Sequence, residues 1–250
     1  LTATNYTTRI KLSILSLEIY FCIKGTYYFL FNKRVTQESF FGYRMRFPYY
    51  LEFITLFLEM FGIQEYKYIS SKISPVIIDC GSSWGMSILY FKHFYPKSSI
   101  TAIEANRQVS KLLKENIKVN KLNNVKVVSA LLSKKSGKQS FFVNSENNSW
   151  HISDTGVEAY GRINASSRKI MVDAVRLSQF LRGKIDLIKM YIEGMEWEVL
   201  DEAKDRLHLV SEMYMEYHGG THVPINSIIK IVNILKKAGF NYEIVNTKNW

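Results

Sequence analysis

Short apolar runs alternate with helix-spaced segments along the chain from residue 75 onward. The runs predict strands at 76–79, 99–104, 125–132, 185–192, 209–218 and 240–245, and residues 169–175 look extended. Apolar positions at helical spacing predict helices at 87–95, 106–121, 195–203 and 224–239. Strands that alternate with helices indicate a mostly parallel central sheet with right-handed crossovers and helices on both faces. The predicted fold class is therefore α/β.

The segment before this alternation follows a different pattern. Residues 12–31 are strongly apolar, but Glu18 and Lys24 interrupt the run and Gly25 weakens a continuous helix. The run has neither the uninterrupted apolar core nor the small-residue cleavage site of a signal peptide. Three interpretations stay open: a helix packed on the domain, an interfacial membrane helix, and a membrane span. Residues 9–34 are the candidate membrane contact, because basic residues flank the run at Arg9, Lys11, Lys33 and Arg34.

These patterns divide the chain into two parts. Residues 1–70 form an N-terminal extension with helical and aromatic character, and residues 71–250 form one α/β domain. Within the domain, residues 144–167 are polar and rich in Asn, Ser and Gly, which predicts an excursion or a lid.

The composition is that of an ordinary globular protein. Of 250 residues, 47% are hydrophobic and 22% are charged, which excludes a disordered chain and a polytopic membrane protein. The net charge of +11 favours anionic partners. Cys22 and Cys80 have no metal-ligand spacing, so zinc fingers and disulfide scaffolds are excluded. A reducing compartment is the default, and we expect a cytoplasmic location with membrane association open through residues 9–34.

Candidate cofactor chemistry follows the first predicted strand. Asp79 ends that strand, and Gly81 and Gly85 let the loop turn tightly and approach a ligand. Glu104 ends the second strand about 20 residues later, where an acidic side chain can accept hydrogen bonds from both hydroxyls of a ribose. Glu104 alone is equally compatible with a cap of the following helix. The set of residues together predicts a nucleoside-type cofactor.

Three motifs carry a resemblance to a known family. They are D-x-G-x-x-x-G at 79–85, E-N-x-x-x-N at 115–120 and I-K-x-x-x-E-G-x-E at 188–196. With the surrounding segments VIIDCGSSWGMSILYFKHFYPKSSITAIEAN, IDLIKMYIEGMEWEVL and MYMEYHG, the chain resembles the FkbM-type S-adenosylmethionine-dependent methyltransferases over roughly residues 59–218. The resemblance implies a Rossmann-like class I methyltransferase fold with S-adenosylmethionine as the cofactor.

The resemblance also implies positions for the cofactor. Asp79, Gly81 and Gly85 would shape the methionine side, Glu104 would hold the ribose, and residues 130–131 would lie beside the adenine. The implied cofactor-binding residues are Asp79, Gly81, Ser82, Gly85, Glu104, Ala130 and Leu131.

Two departures from the family pattern bear on function. The family reads G-A-N-x-G where this chain has Ser82, Ser83 and Trp84, and a tryptophan there is expected to alter the pocket rim. The family reads K-I-D-V-E-G, and Tyr191 stands at the position of its aspartate. A cofactor-binding protein with lost or altered turnover is therefore an alternative to an active enzyme.

Methyl transfer to an oxygen acceptor requires a base or a metal to remove the proton. Candidate catalytic residues at the carboxyl ends of strands are Glu193, Tyr191 and His218, and Glu216 lies close to them in sequence. Glu193 also fits a carboxylate at the N-terminus of the next helix, and His218 also fits a plain loop residue. No spacing among these residues demands a metal ion, so no metal site is predicted.

The expected partner is a small-molecule or glycan acceptor. As the family suggests, the acceptor group is a hydroxyl of a carbohydrate or of a lipid-linked glycan. Nucleic acid is a third hypothesis, because lysines share one face of the helix after Glu104, at Lys111, Lys114, Lys118 and Lys121. A solvated helix face is the favoured interpretation of these lysines, and no RNA-binding signature is present.

Overall fold

The computed structural model describes residues 8–144, 167–219 and 226–245. In chain order its elements are α1 (Thr8–Leu30), β1 (Gln37–Phe40), β2 (Tyr43–Arg46), α2 (Tyr50–Phe57), β3 (Val76–Cys80), α3 (Met86–Phe94), β4 (Ser99–Glu104), α4 (Arg107–Val119), β5 (Val125–Ser129), β6 (Leu131–Leu132), β7 (Gly137–Asn144), β8 (Ser167–Val175), β9 (Ile185–Met190), α5 (Glu196–Ala203), β10 (Val210–Met215) and α6 (Ser227–Lys237). One π-helical turn, Leu58–Gly62, continues α2.

A five-stranded sheet forms the centre of the fold, with strand order β10-β9-β3-β4-β5 and every pair parallel. β9 is buried along its whole length, as expected for a central strand covered on both faces. From β3 the chain moves first through β4 and β5 and later returns to the other side through β9 and β10. The direction therefore switches beside β3, where ligands of open α/β sheets bind. The predicted α/β fold with a parallel central sheet is confirmed.

A second, three-stranded sheet corrects one predicted strand. The apolar run at 125–132 is not continuous, because β5 ends at Ser129 and Leu131 pairs with Ala174 of β8 instead. β7 and β8 form an antiparallel ladder from Gly137 opposite Ala174 to Asn144 opposite Ser167. The predicted excursion at 144–167 lies almost wholly outside the described residues.

The strand predicted at 240–245 is wrong. These residues follow α6 without strand hydrogen bonds, and the side chains of Tyr242, Ile244 and Val245 are exposed. A short apolar run becomes a strand only when a neighbouring strand pairs with it and covers its side chains. Within the described residues, β10 is an edge of the central sheet and no strand lies beyond it.

The apolar run at 12–31 forms α1, and one side of this helix packs on the domain. Phe21 is fully buried, with its ring 4.9 Å from Phe53 and 5.1 Å from Phe57 of α2. Phe61 then reaches the α/β domain, with its ring 5.4 Å from Tyr90 of α3. Among the described residues no helix has the length and apolar character that crossing a bilayer requires. The division of the chain after residue 70 stays a prediction, and this aromatic core extends across it.

Two asparagines tie the β1–β2 hairpin to the domain. Asn116 of α4 accepts a hydrogen bond from Arg46 N at 2.9 Å and donates to the carbonyls of Arg46 and Trp84 at 2.9 and 2.8 Å. One turn later Asn120 accepts from Arg44 N and donates to Arg44 O, both at 2.7 Å. The E-N-x-x-x-N motif therefore joins the hairpin, α4 and the loop after β3.

Asn116→Ala should lower the free energy of unfolding by about 3 kcal/mol, because the buried carbonyl of Trp84 and the partly buried backbone groups of Arg46 lose their partner. Urea denaturation measures this change. Asn120→Ala is the matched control, since it removes the equivalent pair of bonds at an exposed position and should cost about 1 kcal/mol. An equal loss of unfolding free energy in the two variants would contradict the role of Asn116 as the buried connection between the hairpin and the domain.

Candidate functional site

A cleft of about 320 Å³ opens at the carboxyl ends of β3, β4 and β9. The loop after β3 and the ends of β4 and β5 supply one group of lining residues, which includes Gly81, Ser82, Ser83, Ile103, Glu104, Ala130 and Leu131. α2 and the segment after β9 supply a second group, which includes Glu52, Thr55, Glu59, Tyr191, Ile192 and Glu193. The cleft therefore lies at the switch point of the sheet, where the topology predicts a ligand.

The loop at 81–85 is held by its neighbours on both sides. Gly81 has φ of +78°, and a Cβ there would lie 1.8 Å from the carbonyl oxygen of Tyr191. Only glycine fits this approach. On the other side the amides of Gly81 and Ser82 donate to Ile103 O at 2.9 and 3.1 Å. Gly85, with φ of +100°, turns the chain into α3. The loop is thus pinned between the ends of β4 and β9.

Asp79 lies beneath the cleft and does not line it. Its fully buried carboxylate accepts a hydrogen bond from Ser87 Oγ at 2.6 Å and lies 3.3 Å from the ammonium group of Lys189. Lys189 also donates to Gly81 O at 2.8 Å, and it lines the cleft. Asp79 therefore supports the site through Lys189. We did not single out Lys189 from the sequence, although a lysine inside the apolar run IDLIKMYI was the available signal.

Glu104 presents its carboxylate to the cleft at the end of β4. Its two oxygens accept hydrogen bonds from the amides of Ser83, at 3.0 Å, and Asn106, at 2.8 Å. Asn106 caps α4, because its side chain accepts from the amides of Gln108 and Val109. Of the two interpretations of Glu104, the helix-cap role is thus filled by Asn106. A carboxylate has about four acceptor positions, so two amides do not saturate it.

Apolar side chains line the cleft beyond Glu104. Ala130 and Leu131 are buried there, and Ile103 and Val109 complete the lining. This surface suits a flat apolar group, whereas Glu104 beside it suits a pair of hydroxyls. Trp84, which the sequence places at the rim, has its ring buried against Phe47 and donates from Nε1 to Glu52 at 3.2 Å.

His218 is the centre of an acidic cluster beside the cleft. Its Nδ1 lies 2.9 Å from Glu196 Oε1, and its Nε2 lies 3.7 Å from Glu193 Oε2 and 3.6 Å from Glu216 Oε1. Its ring meets that of Tyr191 edge-on at 4.9 Å. Tyr191 and Glu193 line the cleft, whereas His218 is buried next to them. Burial lowers the pKa of His218, but the bond to Glu196 and the charges of the glutamates outweigh burial and raise it.

A further glutamate titrates near neutrality in the cleft. Burial, then the charges of Glu65 and Glu216, raise the pKa of Glu59 to about 7, while Lys189 acts in the opposite direction. Glu59 and Glu52 lie seven residues apart in the α2 segment and both line the cleft. We did not single out either from the sequence, where the signal was two acids in an otherwise apolar helix. No group of three or more potential ligand residues is placed to hold a metal ion in the described parts of the chain.

Comparison with known proteins places this geometry in context. A family model described as a methyltransferase FkbM domain matches residues 79–242. The chain is 28% identical over 214 residues to the methyltransferase sdnD of Sordaria araneosa, covering 74% of this chain and 81% of that protein.

Two of the solved structures to which the chain is similar come from Geobacter metallireducens and Aeropyrum pernix. Precorrin-6y C5,15-methyltransferase from Geobacter metallireducens is 15% identical, with a TM-score of 0.39 over 69% of this chain and 67% of that chain. Fibrillarin from Aeropyrum pernix, solved with natively bound S-adenosyl-L-methionine, is 10% identical, with a TM-score of 0.41 over 71% of this chain and 63% of that chain.

The raised pKa of His218 predicts a pH-dependent contribution to stability. Because the folded-state pKa exceeds that of the unfolded chain, the stabilisation is full below about pH 6.5 and is lost as the pH rises through the folded-state pKa. The difference in free energy of unfolding between the natural protein and His218→Gln should therefore shrink as the pH rises above about 6.5. Urea denaturation at each pH measures it.

His93→Gln is the control for this pH dependence. Burial lowers the pKa of His93, so its contribution is present at high pH and is lost as the pH falls. The difference for His93→Gln should therefore stay constant above about pH 6.5, where that for His218→Gln shrinks, and should change only below it. A difference for His218→Gln that grows with pH would show that the glutamates do not hold the ring protonated.

Proposed function

Because the chain belongs to the FkbM methyltransferase family, we propose that it transfers a methyl group from S-adenosylmethionine to a hydroxyl oxygen of a carbohydrate or lipid-linked glycan. S-adenosylmethionine is the cofactor of this family. The observation that carries the acceptor proposal is the set of carboxylates and tyrosine rings in the cleft, formed by Glu52, Glu59, Tyr66, Tyr191 and Glu193.

The first group of lining residues fits the cofactor. Glu104 would accept hydrogen bonds from the ribose hydroxyls, and Ala130 and Leu131 would contact the adenine. The loop at 81–83 and the ammonium group of Lys189 would bind the methionine portion, whose carboxylate complements a cation. When bound, the cofactor supplies an activated methyl group.

The second group of lining residues suits a hydroxyl-rich acceptor. Ionised carboxylates only accept hydrogen bonds, so Glu52 and Glu193 match molecules that present several hydroxyl donors. Glu59, with a pKa of about 7, can both accept and donate near neutral pH. The same charges repel a polyanion, which argues against the nucleic-acid hypothesis. The lysines that suggested it are exposed and do not line the cleft: Lys111, Lys114 and Lys118 lie on α4, and Lys121 follows its end.

Glu193 is the proposed base for the acceptor hydroxyl. It lines the cleft just after β9. Its backbone has φ of +50°, so it lies in a tight turn. The hydroxyl proton would pass to its carboxylate as the oxygen attacks the methyl carbon. His218 contacts Glu196 through Nδ1, and its Nε2, on the other side of the ring, would orient the carboxylate of Glu193. Because methyl transfer is an in-line displacement, fixing both partners supplies much of the rate.

Glu104→Ala should weaken binding of S-adenosylhomocysteine at least tenfold. Two charge-assisted hydrogen bonds of about 1.5–3 kcal/mol each would be lost. Isothermal titration calorimetry measures the affinity, and Glu115→Ala, which removes an exposed carboxylate of α4, should leave it unchanged. An unaltered affinity in a folded Glu104→Ala protein would rule out the ribose assignment.

Glu193→Gln should lower kcat for methyl transfer at least about 100-fold, because general-base catalysis contributes typically 10²–10⁴-fold. Transfer of label from methyl-labelled S-adenosylmethionine to mono- and oligosaccharides, free and lipid-linked, measures the rate. The affinity for S-adenosylhomocysteine should stay within tenfold. Glu52→Gln, at another carboxylate of the cleft, should lower kcat less than tenfold.

Two outcomes would contradict this proposal. Equal kcat values for the natural protein and Glu193→Gln would remove Glu193 from catalysis. A natural protein that binds S-adenosylhomocysteine but methylates none of these hydroxyls would favour the alternative, a cofactor-binding protein whose turnover is lost where Tyr191 replaces the aspartate of the family.

A further inference from the structure

The outer face of α1 is apolar and exposed. Ile14 and Phe21 are buried against the domain, and the opposite side of the helix carries exposed side chains at Leu12, Leu15, Ile19, Ile23 and Leu30. These positions recur three, four, four and seven residues apart, so they form one continuous stripe along the helix. Ile23 is 66% exposed and Leu30 is 70% exposed. A continuous apolar stripe that is exposed on the surface indicates an interaction site.

The polar residues within this stripe have their hydroxyl groups satisfied by the helix itself. Ser16 Oγ donates to Leu12 O at 2.7 Å, and Thr26 Oγ1 donates to Cys22 O at 3.0 Å. Each bond reaches back one helical turn, so neither hydroxyl donor requires water. These two hydroxyl groups therefore do not oppose contact between the face and lipid.

Basic residues and aromatic residues border the stripe. Lys11 precedes it, and Lys33 and Arg34 follow it, all of them exposed. Phe29 and Phe31 are exposed at the same end. Cations beside an apolar face complement anionic lipid headgroups, and the chain carries a net charge of +11. The charge distribution favours a lipid surface over a neutral protein partner or a second copy of this chain.

The inner side of α1 fixes how the helix can meet a bilayer. Lys24 is paired with Glu38 at 2.5 Å, and Phe21 is locked between Phe53 and Phe57. Because these contacts fix α1 to the domain, the helix can meet a bilayer only with its outer side and with its axis along the membrane surface. We propose that α1 docks its outer face on an anionic lipid bilayer as an interfacial helix.

This docking would bring the cleft close to the bilayer. α2 contacts α1 through Phe53 and Phe57, and Glu52 and Thr55 of the same helix line the cleft. One helix thus separates the lipid-facing surface from the acceptor site. The link to a lipid-linked acceptor rests on the proposed function, whereas the docking itself does not.

Sedimentation of the full chain with vesicles tests the proposal. We expect the natural protein to partition strongly to vesicles of phosphatidylcholine mixed with phosphatidylserine and weakly to phosphatidylcholine alone. The double variant Ile19→Asn/Ile23→Asn should lower the partition coefficient more than tenfold, because it removes two apolar side chains from the stripe. Lys33→Gln/Arg34→Gln should lower partitioning to the anionic vesicles only.

Ile229→Asn is the matched control, since Ile229 is 56% exposed on α6, away from the stripe. It should partition like the natural protein, and unchanged affinity for S-adenosylhomocysteine verifies that each variant is folded. The proposal is overturned if the natural protein binds neither vesicle, or if the double variant binds as well as the control. A dimer that the double variant dissociates, without vesicle binding, would identify a second copy as the occupant. Vesicle binding and sugar methylation are measured separately, so each proposal can fail while the other stands.

Discussion

The ammonium group of Lys189, buried at the centre of the sheet, is the contact on which the site depends. It lies 3.3 Å from Asp79 and donates to the carbonyl of Gly81, so one side chain of β9 joins the end of β3 to the loop that follows it. A buried charge that loses its partner costs about 3–5 kcal/mol. The position of the 81–85 loop is therefore coupled to an ion pair inside the sheet. The close approach of Gly81 to Tyr191 O then fixes the distance between that loop and the segment after β9.

From this centre the structure extends to a part of the chain outside the family match. The match covers residues 79–242, yet α2, at Tyr50–Phe57, supplies Glu52 and other lining residues. Asn116 connects the two regions, because it binds both the hairpin before α2 and the loop after β3. In the proposed assignment, the family domain would build the cofactor side of the cleft, and the preceding segment would build much of the acceptor side. Under that assignment, substitutions in α2 would alter the choice of acceptor and leave the cofactor site unchanged.

The sequence predicted local features well and long-range contacts poorly. The order of strands and helices from residue 75 can be predicted from the period of the hydrophobic residues. The glycine loop and Glu104 can be predicted because the loop follows the first strand of this order and Glu104 ends the second. The break after Ser129 was missed because Leu131 pairs with a strand 43 residues further along the chain, at Ala174. The same limit applies to Glu59, whose raised pKa comes from burial and from Glu65 and Glu216. Such contacts exist only in the folded chain, so no local pattern reports them.

Charge is distributed over the molecule so that each region suits a different ligand. Carboxylates concentrate around the cleft, where burial raises the pKa of Glu59 and their charges raise that of His218. A cationic sulfonium is favoured by such surroundings, and its positive charge disappears when the methyl group leaves. In the proposed assignment, acidic groups close to the sulfur would favour the charged cofactor over its product, whose sulfur is uncharged. The exposed lysines of α4 and the basic ends of α1 lie outside this cleft, which keeps the positive surface of the protein apart from its acidic site.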